Sequence, residues 1–135
     1  MKKTRSELRE NIMTILYQIN VYRSENMEYE LESVLEENKA NEDKFILEIV
    51  NGVLNHESEL DELINKYMKD WTISRLGNID KAIFRMSTYE LLYTNTPHVV
   101  SINEGIELSK KYSDEKVTKM LNAVLDNIRD GEINE

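Results

Sequence analysis

The chain has 135 residues, 26 of them acidic, 17 basic and none cysteine, for a formal net charge of −9. A length of this order suits one domain that buries roughly two thirds of its unfolded surface, and the missing cysteines exclude disulfides, thiolate metal sites and cysteine nucleophiles together. Four glycines, one proline, 32% charged and 40% hydrophobic residues point to amphipathic helices with short connections, an all-α class; with no run of about 18 apolar residues and no apolar leader, a cytoplasmic protein is expected.

Leu8, Ile12, Ile15, Leu16 and Ile19 repeat at helical spacing, and Thr4 or Ser6 is placed to cap that first helix. At about 100° per residue, Lys2, Arg5 and Arg9 line one flank of the stripe, so burying the apolar face leaves a basic row at its edge. Residues 27–37 form a short acidic helix anchored by Leu31, Val34 and Leu35, its charges read as a solvated face. Phe45, Ile46, Ile49, Val50 and Val53 continue the helical period over residues 42–54, where Gly52 marks a bend or a close helix contact.

Leu60, Leu63, Ile64, Tyr67, Met68 and Trp71 make a fourth stripe, and Gly77 with Asn78 breaks the chain before a helix carrying Ile79, Ala82, Ile83, Met86 and Glu90. Pro97 closes that helix, and Ser101 with Glu104 reads as a capping box opening the sixth. Gly105 and Ser109, four residues apart, permit close packing on it. Val117, Met120, Leu121, Val124, Leu125 and Ile128 form the last stripe, which stops near Gly131. Seven helices are therefore expected.

The acidity is uneven. Residues 1–23 hold five bases against two acids, a net of +3; residues 24–66 hold 13 acids against three bases, a net of −10; the rest holds nine bases against 11 acids, a net of −2. A uniformly acidic protein would repel a polyanion, whereas this distribution leaves the N-terminal region able to meet phosphates. Neither histidine has a glutamate three residues before it: Val53 precedes His56 and Asn95 precedes His98, so no Glu-x-x-His metal pair exists. His56 reads as a helix-surface residue and His98 as a loop residue. Phosphate-loop and nucleophile-elbow strings are missing as well, so neither an enzyme nor a cofactor is expected. Recognition remains: cations beside exposed aromatics hold single-stranded RNA. Lys2, Lys3, Arg5 and Arg9 supply the first ingredient and Tyr67 and Tyr112 the second, although each tyrosine taken alone reads first as core or boundary packing.

Residues 75–93, RLGNIDKAIFRMSTYELLY, followed by Pro97 and by residues 101–110, SINEGIELSK, resemble the NusB family of transcription antitermination factors. Its members carry RL-x-x-(I/V)-(D/E)-(K/R)-A-(I/V)-(L/F)-R-(I/M/L) and, after a proline, V-x-I-N-E-A-(I/V)-E-L-A-K. The likeness runs from the R-x-x-x-x-x-x-L-Y pattern of Arg9 to Tyr17 through residues 119–126, KMLNAVLD. It implies two three-helix bundles sharing a core. It also implies binding of the boxA element of ribosomal RNA transcripts, together with NusE, a small-subunit ribosomal protein, and joining of the RNA polymerase antitermination complex, by a monomer or a homodimer.

The resemblance assigns RNA-facing roles to Lys2, Lys3, Arg5, Arg9, Tyr67, Arg85, Tyr112, Lys119 and Asn122, and partner-facing roles to Tyr17 and Asp80. Arg85 has Asp80 and Glu90 as candidate ion-pair partners on its own helix. Met120 stands where the family usually has Phe, and Ala123 where it has Gly. The thinner arginine cluster implies weaker intrinsic RNA binding and greater reliance on the partner. Two other readings stay open: an RNA-binding module of the kind fused to ribosomal RNA cytosine methyltransferases, although this chain ends at Glu135 without a catalytic domain, and a helical adaptor whose acidic block binds a basic ribosomal protein that alone holds the RNA.

Overall fold

The computed structural model describes residues 2–133, and among them it contains seven α-helices and no strand. They are α1 (Arg5–Ser24), α2 (Leu31–Glu37), α3 (Lys44–Asn55), α4 (Glu57–Tyr67), α5 (Asn78–Tyr93), α6 (His98–Tyr112) and α7 (Glu115–Ile128), with a single 3-10 turn at Ile73–Arg75 and a π turn at Arg129–Ile133. The all-α expectation holds.

Helix α1 starts where Thr4 accepts from the Glu7 amide and the Glu7 carboxylate accepts from the Thr4 amide, a reciprocal cap that satisfies two otherwise orphaned donors. It ends with Asn26 in the left-handed region at φ 54°, the Asn26 and Met27 amides bonding back to the Arg23 and Tyr22 carbonyls. Helix α2 closes in the same way on Lys39, at φ 55°, with the Lys39 and Ala40 amides on the Glu36 and Leu35 carbonyls.

Helix α5 is the axis of the molecule. It packs against α1 and α3 on one side and against α4, α6 and α7 on the other, so two groups of helices share it. Ala82 through Leu91, ten consecutive residues, are all buried. A stripe on Ile79, Ala82, Ile83 and Met86 is therefore only part of its buried surface: the helix is covered all round, the signature of a core helix rather than a surface one. Its polar members, Arg85 and Glu90 above all, must then find partners inside the protein.

Three boundaries differ from the expected ones, the first being that of α2, which begins at Leu31 rather than at residue 27. Pro97, and not Ser101, precedes the first turn of α6, because proline presets the φ needed there and its missing amide costs nothing. Ser101 is instead buried inside the helix, and Glu104 reaches away to α1. Helix α4 stops at Tyr67, so Trp71 packs from a loop that turns at Asp70, φ 58°. Of the two readings of Gly52, the close helix contact holds and the bend does not: α3 is unbroken, and a Cβ there would overlap the Tyr89 ring, so glycine lets α3 approach α5. His56 is not a plain surface residue either: it joins α3 to α4 with its ring 4.8 Å from that of Tyr93, while His98 opens α6 rather than lying in a loop.

Candidate nucleic-acid and partner interface

The basic residues at the start of α1 divide rather than forming one row. Lys2 and Lys3 are exposed and line a groove that also takes in Lys39 and Asp43. Arg5 is exposed too, but its guanidinium lies 4.1 Å above the Phe45 ring, on the side of α3. Arg9 departs from the row altogether. It is 5% exposed, its Nε and Nη2 donate to the two carboxylate oxygens of Glu90, 2.8 Å for the first, and its Nη1 donates to Glu104 at 2.9 Å. The Glu90 pairing, followed by the attraction of both carboxylates, raises its pKa further against the opposing effect of burial. Arg9 thus ties α1 to α5 and α6, and its donors are committed to carboxylates.

Arg85 is committed in the same way, but not to the partners on its own helix. Its Nε and Nη2 donate to the two oxygens of Asp61 at 2.8 and 2.9 Å, its Nη1 to Asn20 at 3.3 Å, and Glu57 lies 3.5 Å away. Planar, bidentate pairing of this kind is what arginine does well inside a protein. Arg9 and Arg85 therefore hold the scaffold under the surface on which the other candidates stand.

Those others are at least partly accessible, Tyr67 being half-buried against the core, and two share an arrangement. Tyr112, the last residue of α6, donates its hydroxyl to Glu10 of α1, and Lys111 beside it donates to the same oxygen. Tyr67, the last residue of α4, donates to Glu132 at 2.6 Å, and Lys66 beside it donates to the same oxygen at 3.1 Å. The bonds from Lys111 and then Tyr112 hold the Glu10 carboxyl below the usual range, and those from Tyr67 and then Lys66 do so for Glu132. In return both phenols are pushed up, chiefly by the carboxylate that each bonds.

Lys119 and Asn122 are exposed on α7 and line a cleft with Lys110. Lys110 also lines a neighbouring cleft of about 400 Å³ with Ser6, Glu10 and Lys111, so the α1–α6 and α6–α7 surfaces are continuous. Among the described residues Lys119 pairs only with Glu115 one turn earlier, at 3.2 Å. Met120, a thioether with no ring to stack on a base, is partly buried against the core, and Ala123 is exposed and so disturbs no packing. Lys39, Lys66, Lys110 and Lys111 escaped the sequence reading; the doublet Lys-Tyr at residues 66–67 and 111–112 was the pattern that could have found two of them.

Tyr17 is 37% exposed on α1. Asp80 lies in the first turn of α5, where burial raises its carboxyl pKa against the lowering effect of a hydrogen bond from Ser113. The amide of Asn20 donates to the Asn78 carbonyl at 2.9 Å, which fixes the start of α5 beside the part of α1 that carries Tyr17. Among the described residues no group of three metal-ligating side chains converges, and no helix is long and apolar enough to cross a membrane.

The NusB family profile matches residues 6–130. The chain is 41% identical over 126 residues to the transcription antitermination protein NusB of Bacillus subtilis, covering 93% of this chain and 94% of that protein. It is 41% identical over 127 residues to its Staphylococcus aureus counterpart, covering 93% and 98%. Among solved structures, T. maritima NusB superposes with a TM-score of 0.83 at 33% identity, over 97% of this chain and 94% of that one. A crystal structure of antitermination factors NusB and NusE in complex with double-stranded RNA matches with a TM-score of 0.75 at 26% identity, over 96% and 98%. The helical order, the central buried α5 and the extent of these matches lead to one conclusion: the chain belongs to the NusB family.

Proposed function

We propose that this chain is a transcription antitermination factor that binds the boxA element of ribosomal RNA transcripts together with NusE and joins the RNA polymerase antitermination complex. The whole chain serves as one RNA- and protein-binding unit, without catalysis, in the cytoplasm. The observation that carries the reading is the continuous α1–α6–α7 surface that Lys110 joins, with Lys111–Tyr112, Lys119 and Asn122 along it; Lys2 and Lys3 stand in the groove of Lys39, Arg5 on the side of α3, and Lys66–Tyr67 at the end of α4. These are accessible cations and phenols on a protein whose net charge is −9. Phosphate contacts from such groups give affinity and register, while the bases supply specificity. Tyr17 and Asp80 form the side offered to NusE, and Arg9 and Arg85 position the helices that carry the contacts.

The internal engagement of Lys66, Lys111, Arg9 and Arg85 also favours a strong dependence on NusE. Fluorescence anisotropy of a labelled boxA RNA, with and without NusE and against a scrambled RNA, tests both points. The expected result is sequence-selective binding that tightens with NusE, with a log–log salt slope on the order of −2 if about three phosphates are neutralised on a single strand. Binding that is absent in every condition removes the reading; RNA held only in the presence of NusE, and unchanged when Lys2, Lys3 and Arg5 become alanine, replaces it with the adaptor.

A further inference from the structure

The two Lys-Tyr pairs have the same construction. Each is the last pair of residues of its helix, Lys66–Tyr67 in α4 and Lys111–Tyr112 in α6. In each, an ammonium and a phenol converge on one oxygen of one carboxylate, and that carboxylate comes from a distant element: Glu10 from α1, Glu132 from the turn after α7. Neighbouring residues on a helix do not ordinarily face a common point, so the anion is what brings the two donors together. A cation and a neutral hydroxyl meeting at one anionic oxygen is also a donor set that a phosphate takes. The helix C-terminus favours the lysine and gives the anion no help of its own.

We propose that Lys66–Tyr67 and Lys111–Tyr112 are two phosphodiester subsites of the RNA surface, each held closed in the free protein by an internal carboxylate, Glu132 or Glu10, that the RNA backbone displaces. The inference rests on the RNA-binding reading above and deepens it. Both lysine side chains are 62% exposed, and Glu10 and Glu132 are 28% and 30% exposed. Ion pairs so open to water hold weakly, whereas a polyanion gains from counterion release at every neutralised phosphate. The exchange therefore runs toward RNA, but each latch subtracts from its affinity. Glu132 follows Gly131, where a Cβ would overlap the Tyr67 hydroxyl, so a side chain at position 131 would push that phenol out of its place. The tyrosines then act through their hydroxyls, and stacking is not their contribution.

The test measures boxA RNA affinity, with NusE present and at fixed salt, for the intact chain and for Glu10→Gln, Glu132→Gln, Gly131→Ala and the exposed loop control Glu28→Gln, with thermal melts verifying that each is folded. Opening a latch is expected to tighten binding about two- to fivefold, the range of an exposed ion pair. Gly131→Ala, which changes no charge, should follow Glu132→Gln. Adding Tyr112→Phe to Glu10→Gln, or Tyr67→Phe to Glu132→Gln, keeps the ring and should cancel the gain. Equal tightening by Glu28→Gln, no tightening by either latch variant, or a gain that survives the phenylalanine change overturns the subsites while leaving RNA binding in place. Silence from the intact chain with binding by the latch variants supports the latches; silence from all of them removes the RNA reading and the subsites together.

Discussion

Arg5 and Arg9 are four residues apart on one helix, yet they do different work. Arg9 neutralises Glu90 in the interior, so Arg9→Ala leaves a buried carboxylate uncompensated and should cost about 3–5 kcal/mol in urea unfolding. Arg5→Ala removes only a cation lying on Phe45 and should cost about 0.5–1 kcal/mol, with its main effect on RNA affinity and salt slope. Helical spacing placed both residues beside the apolar stripe correctly. It could not separate them, because what distinguishes Arg9 is Glu90, 81 residues away.

Asp80 shows the same limit from the acidic side: its sequence position marks a helix start, but its half-burial and the nearness of Ser113 and Asp114 come from the fold. Its folded-state pKa is raised, chiefly by burial, so the folded protein holds this proton more tightly than the unfolded chain does. The contribution is fully present below about pH 3.9 and is lost as pH rises through the folded value. Asp80→Asn should therefore be more stable than the parent at pH 7 and equal to it near pH 3 by thermal melting, while NusE affinity falls roughly tenfold if the carboxylate is an anchor of that interface.

Among the elements, glycine positions carry the packing. A Cβ at Gly105 would sit 2.5 Å from the Ser87 hydroxyl oxygen, where α6 crosses α5. Gly105→Ala should thus lose about 1–3 kcal/mol in denaturant unfolding through overpacking, although alanine is the better helix former by about 1 kcal/mol. Close packing at Gly105 and Ser109 was legible from their four-residue spacing, and Ser109 indeed bonds Thr118 of α7 at 2.7 Å. The start of α6 was not legible, because Ser101-x-x-Glu104 satisfies the capping pattern while Pro97 and the burial of Ser101 decide the outcome.

Lys39 closes α2 in a left-handed conformation that suits glycine. Lys39→Gly should leave stability unchanged or raise it by up to about 1 kcal/mol, and weaken RNA binding by removing a cation from the groove of Lys2 and Lys3.

At the scale of the whole molecule, the seven helices and their apolar stripes could be read from periodicity, and the resemblance anticipated helices grouped around a shared core. The near-total enclosure of α5 could not be read, since Arg85, Ser87, Thr88 and Glu90 look like a polar face until their partners from other helices are known. Amides in the middle of α5 should exchange with deuterium more slowly than those of α2, which packs mainly on α1, because exposing α5 requires separating both groups of helices.

That enclosure also sets an order of events during synthesis. Residues 78–93 must leave the ribosome before α1, which packs on α3 and α5 alike, can finish burying its apolar stripe or Arg9 can meet Glu90. The first 23 residues, with a net charge of +3, therefore lack the α5 side of their packing until more than half of the chain has been translated. Pairing such distant segments closes long loops before contacts reward it, which slows folding relative to a bundle of sequential hairpins. A chain stalled before α5 should be protease-sensitive throughout, and one stalled after α6 has cleared the exit tunnel should resist cleavage in α1.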